Sequence, residues 1–119
     1  MNKENFILVS LKGDQSKKLA HSISNETCRK ILNYLSETET ATETDISKNL
    51  EMPISTAHYN LQLLRENGLV ETKEYHYSKK GREILHYSLA NKMIIIAPRA
   101  SEKFLDKLKT ILPVAATTI

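Results

Sequence analysis

Pro53 and Gly68 bracket the stretch that most limits how this chain can fold. A proline pushes the residue before it, here Met52, towards extended geometry, so a helix arriving from upstream must stop there. A glycine supplies the left-handed backbone that ends a helix at its C-terminus. Between them, residues 54–67 read ISTAHYNLQLLREN, with Ala57, Leu61 and Leu64 on one face at about 100° per residue. A forced turn followed by a helix running from Ile54-Ser55 to Asn67-Gly68 is therefore expected.

The preceding segment, ETDISKNL, reads as a short helix. Thr42 with Asp45 makes a start like a capping box, with Asp in place of the usual Glu, and Ile46 and Leu50 supply its buried stripe. The second helix turns Ser55, Tyr59 and Gln62 away from its apolar face, with Thr56 and His58 on the shoulder. A helix packed only for stability would carry Lys and Glu outside. Short hydrogen-bonding groups and an aromatic ring suit the edges of bases in a major groove.

Strand chemistry follows. Leu69 to Tyr77, LVETKEYHY, and Arg82 to Leu89, REILHYSL, flank Ser78-Lys79-Lys80-Gly81, and together they read as a β-hairpin with a basic tip at Lys79, Lys80 and Arg82. Helix, turn, helix and hairpin is the layout of a winged helix-turn-helix. A basic tip is also a common solubilising device on exposed turns, but beside a polar helix it is the footprint expected of phosphate contact.

The remaining segments read as support. Phe6 to Leu11 is a strand closed by Gly13-Asp14, and Asp14 caps a short helix through His21 with Leu19, Ala20 and Ile23 facing the core. Ser24-Asn25 caps the next helix, where Cys28, Ile31, Leu32 and Leu35 recur at helical spacing and Arg29 and Lys30 face solvent. Ser36 to Thr44, SETETATET, has no apolar period and reads as a loop. Met93 to Ala97 is a β-branched run whose natural partner is the first strand, within one chain or across a dimer. Ser101 caps a final amphipathic helix with Phe104, Leu105, Leu108, Ile111 and Leu112 on one stripe. The tail Pro113–Ile119 carries no charge; it is either a frayed end or the start of a membrane span, the latter only if the chain continues beyond Ile119.

The fold class expected is α+β, mainly α. A winged helix-turn-helix domain over residues 1–98 carries an extra N-terminal strand, and residues 99–119 form a dimerising or membrane-proximal helix. At 119 residues with a net charge of +3, the chain permits phosphate contact without demanding it. One cysteine, Cys28, excludes an internal disulfide and a zinc-finger pattern, and reads as a small buried hydrophobe in a cytoplasmic protein. No metal or other cofactor is expected. His21 with Cys28, or His76 with His86 on the two hairpin strands, would supply too few ligands for a zinc site. No Gly-rich phosphate loop, Ser-x-Gly elbow or carboxylate cluster points to an enzyme.

Residues 14 to 98 resemble the ArsR-like winged helix-turn-helix transcription regulators, particularly an archaeal branch. The resemblance rests on Ser55-Thr56-Ala57 followed by Leu61, Leu64 and Gly68-Leu69-Val70, and on the wing Ser78–Arg82. It implies a homodimer that binds inverted repeats in double-stranded DNA and represses transcription. Carried over by position, Ser55, Thr56, His58, Tyr59 and Gln62 would face the major groove, while Lys79, Lys80 and Arg82 would touch backbone or minor groove. The Cys-x-Cys motif of metal-sensing members has no counterpart in Asp45–Leu50, nor does the last helix carry their histidines. A ligand pocket between dimer-forming helices is compatible with the pattern, yet no residue points to an effector class. The alternative reading is a winged-helix module that docks on protein and leaves DNA alone, for which the acidic Glu37, Glu39, Glu43 and Asp45 are the argument.

Overall fold

The structure, a computed structural model, describes residues 6–77, 79–91, 93–98 and 103–110. Its elements in order are β1 (Phe6–Ser10), α1 (Asp14–Ser24), α2 (Glu26–Thr38), α3 (Glu43–Asn49), α4 (Ile54–Glu66), β2 (Val70–Tyr77), β3 (Glu83–Leu89) and β4 (Met93–Ala97). Residues 103–110 are helical and are called α5 here. The chain divides into two compact units: Leu19–Ala90, and the described residues of 1–18 and 91–119.

In the larger unit Cys28, Ile31 and Leu35 of α2, Ile46 of α3 and Ala57, Leu61 and Leu64 of α4 are buried, together with Leu69, Val70 and Tyr87. Asn25 caps α2 by accepting the Cys28 amide at 3.2 Å. Thr42 and Asp45 form the full capping box at the start of α3: the Asp45 amide donates to Thr42 Oγ1, and the Thr42 amide donates to Asp45 Oδ2. The turn into α4 is closed from both sides, since the Met52 amide donates to Ser47 O and Ser47 Oγ donates to Met52 O. Gly68, at φ 78°, ends α4 in the left-handed region and releases the chain into β2.

The wing is the antiparallel pair β2–β3, with Gly81 at φ 80° in its tip. A register shift between Thr72 and Glu74 places His86 opposite Glu74, and His76 opposite Ile84. The two histidines therefore do not face each other across the hairpin. Ala41 adds an isolated bridge to Tyr87, with amides exchanged at 3.0 and 2.8 Å, so the segment before α3 is stitched to the wing.

Two other expectations are corrected. The polar run SETETATET is not all loop: α2 continues through Thr38, with the Ser36 and Thr38 hydroxyls donating to the carbonyls of Asn33 and Tyr34. In α1, Leu19 is buried as expected, but Ala20 and Ile23 are exposed and Ser22 is buried in their place. Asn67 Nδ2 donates to Ser22 Oγ at 2.7 Å, and that bond is what a core serine requires.

In the smaller unit β1 and β4 pair in parallel within the chain, Phe6 against Met93 through Ser10 against Ala97. Phe6, Val9 and Ala97 are buried, while Ile94 and Ile96 share an exposed face of β4. Helical residues 103–110 match the amphipathic segment expected from Ser101 onwards; Ser101, Ile111, Leu112 and the apolar tail lie outside the described residues.

Ser88 Oγ is buried with no hydrogen-bond partner among the described residues. Removing an unsatisfied buried hydroxyl relieves its desolvation penalty, so Ser88→Ala should raise stability by about 1 kcal/mol in urea unfolding.

Candidate nucleic-acid interface

α3, α4 and the wing enclose one groove of about 500 Å³. Thr42, Glu43 and Thr44 line it from the start of α3, Ile54, His58 and Gln62 from α4, and Lys80, Arg82, Glu83, Ile84, Leu85 and Tyr87 from the wing. The groove thus brings together four of the eight residues expected to meet DNA: His58, Gln62, Lys80 and Arg82. Ser55 and Tyr59 lie exposed on α4, Tyr59 at 65% of its surface, and Thr56 is half-buried. Lys79 is exposed at the tip of the wing.

The floor of the groove was not foreseen. Glu43 Oε2 is 2.5 Å from His58 Nδ1 and 3.3 Å from the Tyr87 hydroxyl, which donates to it. Gln62 Nε2 donates to the same hydroxyl at 3.4 Å. Tyr87 is only 1% exposed, and burial, followed by the Glu43 charge and hydrogen bond, pushes its phenol above the ordinary value of 10.0. His58 and Gln62 are therefore not simply solvated polar groups: each has one side tied to the groove floor.

Behind the helix a second polar cluster fixes its position. Asn60, 5% exposed, donates through Nδ2 to Thr56 O at 2.8 Å. Its Oδ1 accepts from Asn25 Nδ2 at 2.9 Å and from the Cys28 thiol at 3.4 Å. Cys28 is thus a buried thiol pushed above its ordinary value of 9.0 by desolvation, consistent with its expected role as packing. Among the described residues no group of His, Cys, Asp and Glu has the proximity to hold a metal ion, and no helix is long and apolar enough to cross a membrane.

Residues 23–73 match a family described as a helix-turn-helix domain. The homodimeric winged helix-turn-helix DNA-binding domain of a possible ArsR-family transcriptional regulator from Mycobacterium bovis superposes with a TM-score of 0.54, at 22% identity over 87% of this chain and 80% of that one. HlyU from Vibrio cholerae gives 0.52 at 20% identity, over 85% of this chain and 91% of its own. The transcriptional repressor PagR of Bacillus anthracis gives 0.51 at 20%, over 82% and 93%. The chain has the winged helix-turn-helix fold. It resembles the ArsR-type regulators in that fold, with α3 and α4 as the helix-turn-helix and β2–β3 as the wing. In sequence, 85 residues are 33% identical to a stretch of a phenylalanine–tRNA ligase alpha subunit from Sulfurisphaera tokodaii; the match takes in 67% of this chain and spans 18% of that relative's length.

In this winged helix-turn-helix Asn60 is the internal anchor of α4. Asn60→Ala strands the Asn25 amide and creates a small cavity, so it should lower stability by about 2–3 kcal/mol in urea unfolding. Alkaline pH tests the raised Cys28 and Tyr87. Above 9.0 and then 10.0, the values they take in an unfolded chain, the unfolded chain gives up protons that the folded chain keeps. Stability is then whole below 9.0 and falls as pH rises. The urea midpoint should fall between about pH 9 and 11, and less steeply in Tyr87→Phe.

Proposed function

We propose that the protein is a sequence-specific DNA-binding transcription regulator, acting as a homodimeric repressor. The observation that carries this is the groove, where the polar face of α4 and the basic wing converge. α4 enters the major groove with Ser55, Thr56, His58, Tyr59 and Gln62, and Lys79, Lys80 and Arg82 of the wing meet the backbone or minor groove. Phosphate contacts set the register of each subunit, and base contacts specify sequence. A two-fold dimer places two copies of α4 on half-sites about one helical turn apart. The homodimeric M. bovis domain and the repressor PagR share the fold, and both descriptions agree with this reading. The role is one of binding without catalysis, in a cytoplasmic protein.

The alternative is a winged-helix interaction module, and the match to part of a tRNA ligase subunit is the observation in its favour. Retention on non-specific DNA as a function of salt separates the two: a regulator is held at low salt and released as salt rises, while an interaction module passes through.

Within the DNA reading, the wing and the helix divide the work. Lys79→Ala with Lys80→Ala should weaken binding to every sequence and make the salt slope shallower by about 2, at roughly 0.9 for each phosphate no longer neutralised. Tyr59→Ala should reduce discrimination between operator and random DNA by about tenfold and leave the salt slope in place. Gel shifts over a salt series measure both, and a wing variant that loses sequence preference but keeps non-specific affinity contradicts this division.

A further inference from the structure

We infer that Glu43, which stands on α3 outside the reading helix, is a positioning residue that sets which atoms of Gln62 and His58 are offered to DNA. The inference rests on the DNA-reading assignment above and adds to it the chemical identity of one base contact. Its basis is the shared carboxylate oxygen on the groove floor, Glu43 Oε2, which holds both His58 Nδ1 and the Tyr87 hydroxyl.

Donors and acceptors on the groove floor can be counted. A carboxylate only accepts. The Tyr87 hydroxyl has a single hydrogen, and it points to Glu43. Towards Gln62 that oxygen can then only accept, so Gln62 must turn its amide nitrogen to Tyr87, as is seen at 3.4 Å. An amide held by its nitrogen leaves Oε1 as the atom not engaged by Tyr87. By the same logic His58 Nδ1 must donate to Glu43, which puts the ring's other nitrogen, Nε2, on the far side from the carboxylate. Burial and the Glu43 charge both keep the Tyr87 phenol protonated, so its hydroxyl remains a donor to Glu43.

A fixed carbonyl oxygen on Gln62 is an acceptor looking for a donor. In a major groove the donors are the exocyclic amines of adenine and cytosine, whereas guanine and thymine present acceptors at the corresponding edge. The base that Gln62 faces on one strand is therefore read as adenine or cytosine against guanine or thymine, and Glu43 and Tyr87 enforce that choice without touching DNA. Removing the carboxylate charge also lessens repulsion of phosphates, so the charge effect and the positioning effect act in opposite directions on affinity and can be told apart.

The test is binding-site selection from random duplexes by the full chain, wild type beside Gln62→Ala, Glu43→Gln and Tyr87→Phe, with non-specific affinity measured in parallel. Wild type should enrich adenine or cytosine over guanine or thymine at one position on one strand of each half-site, and Gln62→Ala should identify that position by losing the preference there. Glu43→Gln and Tyr87→Phe should relax the same position, each by about tenfold. Glu43→Gln should also bind random DNA as tightly as wild type or tighter, and Tyr87→Phe unchanged. Tyr87→Phe keeps the buried ring, so it tests the relay even where Glu43→Gln disturbs α3. If wild type enriches a sequence and both relay variants keep its preference intact, or Glu43→Gln strengthens all sequences equally, the positioning role is overturned while DNA reading stands. If wild type enriches nothing, DNA reading falls and this inference with it. Nitrogen-15 shifts of His58 in its neutral form add a readout free of DNA: the proton belongs on Nδ1, and a proton on Nε2 overturns the relay.

Discussion

A carboxamide placed in a protein core has to find partners for both ends, because each unsatisfied group would cost about 1–3 kcal/mol. Asn60 meets that demand in a way that fixes α4 in place. Its amide nitrogen returns to Thr56 O in its own helix, while its oxygen takes the Asn25 amide and the Cys28 thiol from the start of α2. Asn25 is also the residue that caps α2 through the Cys28 amide. The cap of α2 and the rotation of α4 are therefore set by the same two asparagines. Apolar packing of Ala57, Leu61 and Leu64 would tolerate a small roll of α4, since hydrophobic contact is non-directional. Hydrogen bonds at 2.8 and 2.9 Å do not. With the roll fixed, the face carrying Ser55, Tyr59 and Gln62 is fixed too.

The opposite side of α4 meets a second polar constraint at Glu43. It follows from the bridge between Ala41 and Tyr87, which brings the N-terminus of α3 against the wing and puts a carboxylate within reach of a buried phenol. The start of a helix is a favourable place for that carboxylate, next to amides without intrahelical partners. The acidic residue that looks awkward for DNA binding in the bare sequence is thus structural where it stands. It is drawn inward by His58 and Tyr87, and the lysines of the wing tip stay exposed.

The helices, the turn and the wing were legible because their signals are local. Pro53, Gly68, the Thr42–Asp45 box and the Asn25 cap act within a few residues of themselves, and periodicity supplied the buried faces. The pairing of β1 with β4 was also legible, as two β-branched runs in need of a partner. What stayed hidden is long-range. Residues 43, 58, 62 and 87 meet only once the wing folds back on α3, and nothing in their neighbourhoods announces it. The burial of Ser22 in place of Ala20 and Ile23 is a case of the same kind, since the partner that satisfies it is Asn67, far along the chain. The extension of α2 through Ser36-Glu37-Thr38 was hidden for a different reason: these residues lack an apolar period, while the Ser36 and Thr38 hydroxyls donate to carbonyls of the helix itself. His76 and His86 are not opposed because the hairpin register pairs them with Ile84 and Glu74, and that register depends on the length of the tip and on an irregularity between Thr72 and Glu74 that no composition rule foretells.

Under the proposed function, the small reading surface of α4 bears on why two copies would be needed. One α4 offers few side chains to base edges, and each well-made base contact discriminates by about 1–3 kcal/mol. Non-specific sites in a genome outnumber the specific one by about a millionfold or more, so one helix reading a few base pairs is too weak a filter. Duplicating the helix on a two-fold axis doubles the bases read without enlarging the domain, and it makes the spacing between half-sites a further criterion. The smaller unit exposes apolar side chains, Ile94 and Ile96 on one face of β4 and also Leu11, Met93 and Phe104, and the proposed dimer would gain from covering surface of this kind. That surface and α4 lie in different units of the chain, so under the proposed function association and base recognition would draw on different residues. Substitutions can then alter one without removing the other.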